Sequence, residues 1–340
     1  MTSAGDRYLV AIGGGGGVSQ LLQGVEPYFA RRTAVIAVTD TGRSTGVARA
    51  IGDIPAPGDL RNTLASMAAE PDGLLARLIQ HRLVAPTVPV LDGMAFGNLL
   101  IAALTQLGGD FGNAVATVSR MLDCQAEVLP VSNESTQLCA TLADGRTVER
   151  ELEVRGLNKP PIQQLFLNPP AAATPAVMRA IAQADLIALG PGSFFTSLMA
   201  TLCFEGLVDA LRQTRATIVF ICNSTTQPGQ TDGMGVYDHV QRLVERLGSG
   251  VVDHALISRG DQIDPAVRFA YATAGLQLLE PDDDELDRVR QLGVQPLVRE
   301  LLEVGSGPRE LWNKLDTIRS DPELLGLALW KIMLDQGNRR

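Results

Sequence analysis

The sequence predicts an α/β fold built on a mostly parallel sheet with helices on both faces, and three observations carry that prediction. An apolar run, Tyr8 to Ile12, meets five consecutive glycines, Gly13 to Gly17, and then a helical pattern from about Val18, which reads as strand, glycine turn, helix. The same order recurs with Asp185 to Leu189, the turn Gly190-Pro191-Gly192-Ser193, and a helix carrying Thr196 and Ser197. Two β-branched runs, Thr33 to Thr39 and Thr217 to Cys222, end in polar loops. In an open parallel sheet the carboxyl ends of the strands form the binding crevice, so these loops should converge with the glycine turns.

Bulk properties narrow the field. At roughly 150 residues per domain, 340 residues suggest two domains or one elaborated domain. One main body over 1–300, with a β excursion at about 127–155 and a helical tail over 301–340, is the expectation. A net charge of -9 argues against a duplex-binding surface, because nonspecific affinity for nucleic acid needs clustered Lys and Arg. No run of about 18 uncharged apolar residues suggests a membrane span, and Asp6 and Arg7 before the first strand do not resemble a secretory leader, so a cytoplasmic protein is expected. Cys124, Cys139, Cys203 and Cys222 are far apart and read as reduced packing residues; His81, His239 and His254 lack metal-ligand spacing.

The first glycine run lets the backbone take positive φ and approach a ligand, while the next helix aims unpaired N–H groups at the same spot, which favours an anion. It is not a dinucleotide fingerprint, since the third glycine position falls on Val18 or Ser19, and no Gly-Lys-Ser/Thr follows. A tight turn with close helix packing explains the run equally well. The second strand ends at Asp40, which reads as a partner for a ribose hydroxyl, as a metal ligand, or as a turn cap. After the loop Thr41 to Gly46, Pro55 and Pro57 force extended backbone, and Asp59 stands where it would cap a helix over Leu60 to Met67. Arg61 and Asn62 in its first turn are not needed by that reading and face either the site or solvent.

Helices are expected over Leu74 to Arg82, from Phe96-Gly97-Asn98 to about Leu107, and over Phe111 to Leu122; Asn98 serves either as a cap or at the site. From Glu127 the periodicity becomes two, predicting strands at Glu127 to Ser132, Gln137 to Leu142 and, past an Asp144-Gly145 turn, Thr147 to Val154: an antiparallel excursion. A strand at Ile162 to Leu167 and a helix at Pro175 to Gln183 lead to the second glycine turn. Beyond Cys222 come the polar loop Asn223 to Asp232, a helix with His239 ending near Leu247, and a strand at His254 to Ser258. The acidic run Glu280 to Glu285 reads as a solvated turn. Trp312 and Trp330 lie on helical segments from about Pro308 and Asp321 that pack on the body or on a second subunit, which suggests a homodimer.

Eight motifs in order resemble the CofD-like superfamily: Gly13-Gly14-Gly15 to Ser19, Thr39-Asp40, Ser44 to Gly46, Pro57 to Asn62, Phe96 to Leu100, Val128 to Ser132, Gly190 to Ser193, and Thr226 to Gly229. Residues 8 to 300 are covered, and the likeness is greater to the gluconeogenesis-factor branch than to the 2-phospho-L-lactate transferases. The resemblance implies a Rossmann-like fold with a nucleotide crevice. It implies nucleotide or phosphate contacts at Gly13, Gly14, Gly15, Gly16, Ser19, Thr39, Arg43, Ser44, Asp59, Asn62, Asn98, Gly192, Ser193, Thr226 and Gln227, with Asp40 as catalytic residue or metal ligand. The branch is known for UDP-sugar binding and for effects on carbon metabolism and cell shape. The transferases move a phosphoryl-linked organic acid from a guanosine diphosphate donor to a deazaflavin precursor with a divalent metal. The chain departs from the branch at Thr41, where an Asp is usual, at Arg43, at Met94-Ala95 in place of His-Ser, and at Gln230 in place of Glu. With one carboxylate fewer, either Asp40 shares Mg²⁺ with a diphosphate or Arg43 neutralises the phosphate directly. No organic cofactor is expected, and the failed fingerprint weakens an NAD(P)-dependent oxidoreductase.

Overall fold

A computed structural model describes residues 7–303, 310–311, 314–315 and 318–337. The first half runs β1 (Tyr8–Gly13), α1 (Gly15–Gly24), β2 (Arg31–Ile36), α2 (Arg43–Gly52), α3 (Gly58–Met67), α4 (Leu74–Gln80), α5 (Phe96–Gly108), α6 (Phe111–Met121) and β3 (Glu127–Pro130). Then come β4 (Gln137–Leu142), β5 (Thr147–Glu149), α7 (Glu151–Val154), β6 (Ile162–Asn168), α8 (Pro175–Gln183), β7 (Leu186–Leu189) and a π-helix (Phe194–Met199). The chain continues with α9 (Leu207–Gln213), β8 (Thr217–Ile221), α10 (Val236–Leu247), β9 (His254–Ser258), α11 (Pro265–Thr273), α12 (Asp283–Gln291), β10 (Gln295–Arg299), β11 (Glu310–Leu311), β12 (Lys314–Leu315) and α13 (Pro322–Gly337).

The main sheet has seven strands in the order β10-β9-β8-β7-β1-β2-β3, all neighbours parallel. Leu9, Val10, Ala11 and Ile12 of β1, and all four residues of β7, are fully buried, as continuous apolar strands covered by helices on both faces must be. A three-stranded antiparallel sheet, β5-β4-β6, is inserted after β3.

The structure corrects four expectations of secondary structure. The strand at Glu127 is not part of the excursion: β3 pairs in parallel with β2, Thr33 opposite Glu127, and forms the edge of the main sheet. Its period-two pattern is that of an edge strand, which alternation alone cannot distinguish from an antiparallel hairpin. The strand over Thr147 to Val154 stops at Glu149, because Arg150 takes φ of 70°, and α7 follows with Glu151 and Val154 turned inward. The acidic run opens α12: Asp282 accepts from Glu285 N at 2.8 Å, and Asp283 and Asp284 favour the positive helix start. Further along, Glu310–Leu311 and Lys314–Leu315 pair as antiparallel strands where a helix from Pro308 was expected, and Trp312 lies outside the described residues.

α13 packs on α1 through two glycines, since a Cβ on either Gly24 or Gly326 would overlap backbone of the other helix. Trp330 stacks on Tyr28, ring centroids 6.0 Å apart, and meets Phe29 edge-on at 5.6 Å. Trp330, one of the two rings that suggested a dimer, is therefore used within the chain. No helix among the described residues is long and apolar enough to cross a membrane.

Candidate functional site

The chain leaves β1 towards β2 on one side of the sheet and returns as β7 on the other, so the strand order reverses between β1 and β7. Such a switch point opens a crevice at the carboxyl ends of the two strands. Both glycine turns lie there. Gly190 N donates to the Ile12 carbonyl at 2.8 Å, tying the second turn to the end of β1.

Most of the first glycines are demanded by packing. A Cβ on Gly17 would lie 2.6 Å from the Pro191 carbonyl oxygen, one on Gly14 2.6 Å from Ser197 Oγ, and one on Gly15 2.6 Å from the Asp59 carbonyl oxygen. Gly16 has nothing within 4 Å of its Cβ position and faces open space. Close packing thus accounts for Gly14, Gly15 and Gly17, and leaves Gly16 as the position with room beside it. Gly15, Gly16 and Gly17 are the first residues of α1, whose opening N–H groups have no carbonyl within the helix. The cavity over them holds about 270 Å³ and is lined by Gly14 to Gly17, Asp59, Gly192, Ser193, Asn223 and Gln227, closed on one side by Ile318, Pro322 and Leu325 of the tail. A larger cavity of about 640 Å³ lies between β9, β10 and α13 and shares no lining residue with the glycine turns.

The second turn is held by side chains. Gly192 has φ of 150°, and its carbonyl accepts from Asn223 Nδ2 at 2.8 Å. Ser193 Oγ lies 2.8 Å from Thr196 Oγ1 and donates to Gln230 Oε1 at 3.0 Å, while Gln227 Oε1 accepts from Phe194 N at 2.9 Å. The next turn is a π-helix, an irregularity common at functional sites. Gln230 thus acts as an acceptor for Ser193, a role that its amide fills without the charge of a Glu.

A polar cluster adjoins the cradle. Asp40 Oδ1 accepts from Gly42 N at 2.9 Å, so the turn-cap reading is realised, and Oδ2 lies 3.4 Å from the Cβ position of Gly58, beside Asp59. Asp59 is not the cap of α3 but its second residue, and its Oδ2 approaches the Cβ position of Gly14 to 3.2 Å. Burial first, and then the charge of Asp40, push the Asp59 carboxyl up to about 6, against the pull of the Gly15 N–H and Arg61. Glu151 is 5% exposed; burial, followed by Asp40, pushes its carboxyl up to about 7, although Arg155 Nη1 donates to Oε1 at 3.2 Å. Arg61 is buried, and burial followed by the nearby Arg82 lowers its guanidinium to about 10.

Several expected contacts take definite places. Gly13 ends β1 below the cradle. Asn98 is fully buried in the first turn of α5, whose cap position is Ala95, and donates to Ser44 Oγ at 3.1 Å. Thr39 is buried with Oγ1 unpartnered. Asn62 accepts from Arg61 at 2.6 Å. Arg43 opens α2, and its side chain lies outside the described residues. Ser19 and Thr226 stand behind the site: Ser19 Oγ donates to the Gly15 carbonyl at 2.6 Å, and Thr226 Oγ1 accepts from Gln277 N at 2.8 Å. His239 is buried, its Nδ1 2.6 Å from the carbonyl of Gly235 in its own helix.

Sequence reasoning missed Glu151, Arg49 and the tail. Arg49 Nη1 donates to the carbonyls of Thr39 at 3.4 Å and Asp40 at 3.2 Å, which fixes the Asp40 loop. Glu151 was hidden by its assignment to a strand; the i, i+4 spacing to Arg155 was the available signal. Among the described residues no three His, Cys, Asp or Glu side chains are grouped to hold a metal ion. The charge of Asp40 nevertheless reaches the Asp59 carboxyl, so the two side chains lie on one side of the crevice.

The family model of the 2-phospho-L-lactate transferase CofD matches residues 9–302. A gluconeogenesis factor of Halalkalibacterium halodurans is 37% identical over 289 residues, covering 85% of this chain and 87% of its own. A gluconeogenesis factor of Bacillus subtilis is 34% identical over 293 residues, covering 86% of this chain and 90% of its own. The crystal structure of a Bacillus halodurans protein superposes with a TM-score of 0.85 at 34% identity, covering 95% of this chain and 99% of that one.

Proposed function

The chain belongs to the CofD family, on the side of its gluconeogenesis factors, and from that premise we propose that its crevice binds a nucleoside-diphosphate-linked ligand of the UDP-sugar type. The observation that carries the reading is the meeting of two glycine turns on one cavity at the switch point of a parallel sheet. The diphosphate lies over Gly14 to Gly17 and Gly192, where helix N–H groups and the helix dipole meet negative charge. A cavity of about 270 Å³ takes a diphosphate and part of its substituents, with the remainder in the open crevice.

Asp40 and Asp59 would hold Mg²⁺ against the diphosphate, and the ion would neutralise charge that these carboxylates otherwise repel. No organic cofactor is part of this reading. Its physiological counterpart is a regulator of carbon metabolism and cell shape that senses a nucleotide-sugar. The family model, which describes a 2-phospho-L-lactate transferase, favours a second reading, transfer of a phosphoryl-linked organic acid to a deazaflavin precursor. Calorimetry with UDP-GlcNAc, GDP and NAD, with and without Mg²⁺, tests the binding reading. Turnover with a deazaflavin precursor tests the alternative.

A further inference from the structure

Unpartnered buried polar atoms gather around the Asp40 crevice. They include Nε and Nη1 of Arg61, Oδ1 of Asn98 and Oγ1 of Thr39. Arg61 is 5% exposed, and its stem runs over the start of α5, where a Cβ on Gly97 would meet Arg61 Cγ at 2.8 Å. Its Nη2 donates to Asn62 at 2.6 Å; among the described residues it makes no ion pair. Asp59 and Asp40 favour its charge from nearby, and two of its three nitrogens remain for a ligand anion to pair, which would offset part of the cost of burying the charge.

The surroundings point the same way. Ser44 Oγ accepts from Asn98 Nδ2 at 3.1 Å and lies 3.5 Å from Arg82 Nη1, so its own proton is free to donate onward. Ser44, Arg61 and Asn98 sit in the first turns of α2, α3 and α5, so three helix starts converge beside the Arg82 guanidinium that reaches Ser44. The Asn98 Oδ1 acceptor matches the hydroxyl of a hydrogenphosphate or of a protonated phosphate monoester.

We propose that Arg61, Arg82, Ser44 and Asn98 form a second oxyanion subsite, across the Asp40–Asp59 pair from the glycine cradle, that takes a terminal phosphate. It stands whether or not the cradle takes a nucleotide. The two sources of that group are free phosphate and a phosphate monoester, and they are separated by probing with inorganic phosphate and with methyl phosphate against chloride of equal ionic strength.

Thermal unfolding of the full chain reads the outcome. About 20 mM of a probe raises the melting temperature of the wild type by at least about 2 °C. Arg61→Met loses the rise without lowering the ligand-free melting temperature, and Arg82→Gln, a change at an exposed side chain, at least halves it. Gly16→Asp places a negative charge in the cradle, at a position with room for a side chain, and retains the rise. A response to both probes assigns the subsite to a monoester, and a response to inorganic phosphate alone assigns it to the free ion. Absence of a rise in the wild type, its survival in Arg61→Met or Arg82→Gln, or its loss in Gly16→Asp overturns the proposal.

Discussion

Asp59→Asn removes a charge that the folded protein holds at a cost. The Asp59 carboxyl rises from 3.8 to about 6, and at 1.36 kcal/mol per pH unit the folded state loses at most about 3 kcal/mol by ionising it. Asp59 keeps some contact with solvent, so about 1–2 kcal/mol is the expected measured effect. The sign follows from proton binding. The folded state holds this proton more tightly than the unfolded chain, so stability falls as pH rises from about 4 to about 6 and is flat above. Glu151, raised from 4.5 to about 7, extends the fall to about pH 7, and the Asp59 charge contributes to that rise. Asparagine still accepts from the Gly15 N–H. Urea unfolding at intervals from pH 4 to pH 8 should find the two proteins equal at the acid end and the variant more stable at the alkaline end, with a shallower slope between. A variant less stable than wild type at pH 8, or two parallel curves, would refute the reasoning.

The remaining predictions concern the cradle and its walls. Gly17→Ala should cost about 1–3 kcal/mol in urea unfolding, because its Cβ must displace the Pro191 backbone, whereas Gly16→Ala should be neutral or gain up to about 1 kcal/mol. Equal losses in the two would remove the distinction between packed and ligand-facing glycines. Gly326→Ala should loosen α13 from α1, lower stability by about 1–3 kcal/mol and weaken ligand binding, since Pro322 and Leu325 wall the cavity; unchanged affinity in calorimetry would free the tail from the site. Asp40→Asn should leave the melting temperature near that of wild type and abolish a Mg²⁺ enhancement of ligand affinity of about tenfold, and an enhancement that persists would place the ion elsewhere.

Much of this arrangement was legible in the sequence because it rests on local grammar. Tyr8 to Ile12 and Asp185 to Leu189 read as buried parallel strands from composition alone, and a glycine turn after each marks the crevice wherever the strands come to lie. That β1 and β7 are neighbours is a long-range fact, and no local pattern states it. Glu127 shows the limit: alternation gives the strand but not its partner. Glu151 fell in a stretch whose β-rich composition ran past Arg150, where one positive φ ends the strand. The acidic run near Asp283 was read by charge alone, although Asp282 with Glu285 three residues on is a cap signature. Arg49 and the tail reach the site only through tertiary packing.

The central claim is that the paired glycine turns take a diphosphate, and titration calorimetry with UDP-GlcNAc in the presence of Mg²⁺ tests it most directly. The account predicts binding tighter than about millimolar in the wild type, weakened at least about tenfold, or 1.4 kcal/mol, in Gly16→Asp. No heat of binding with UDP-GlcNAc, UDP or GDP at millimolar concentration, or equal affinity in the two proteins, would contradict it.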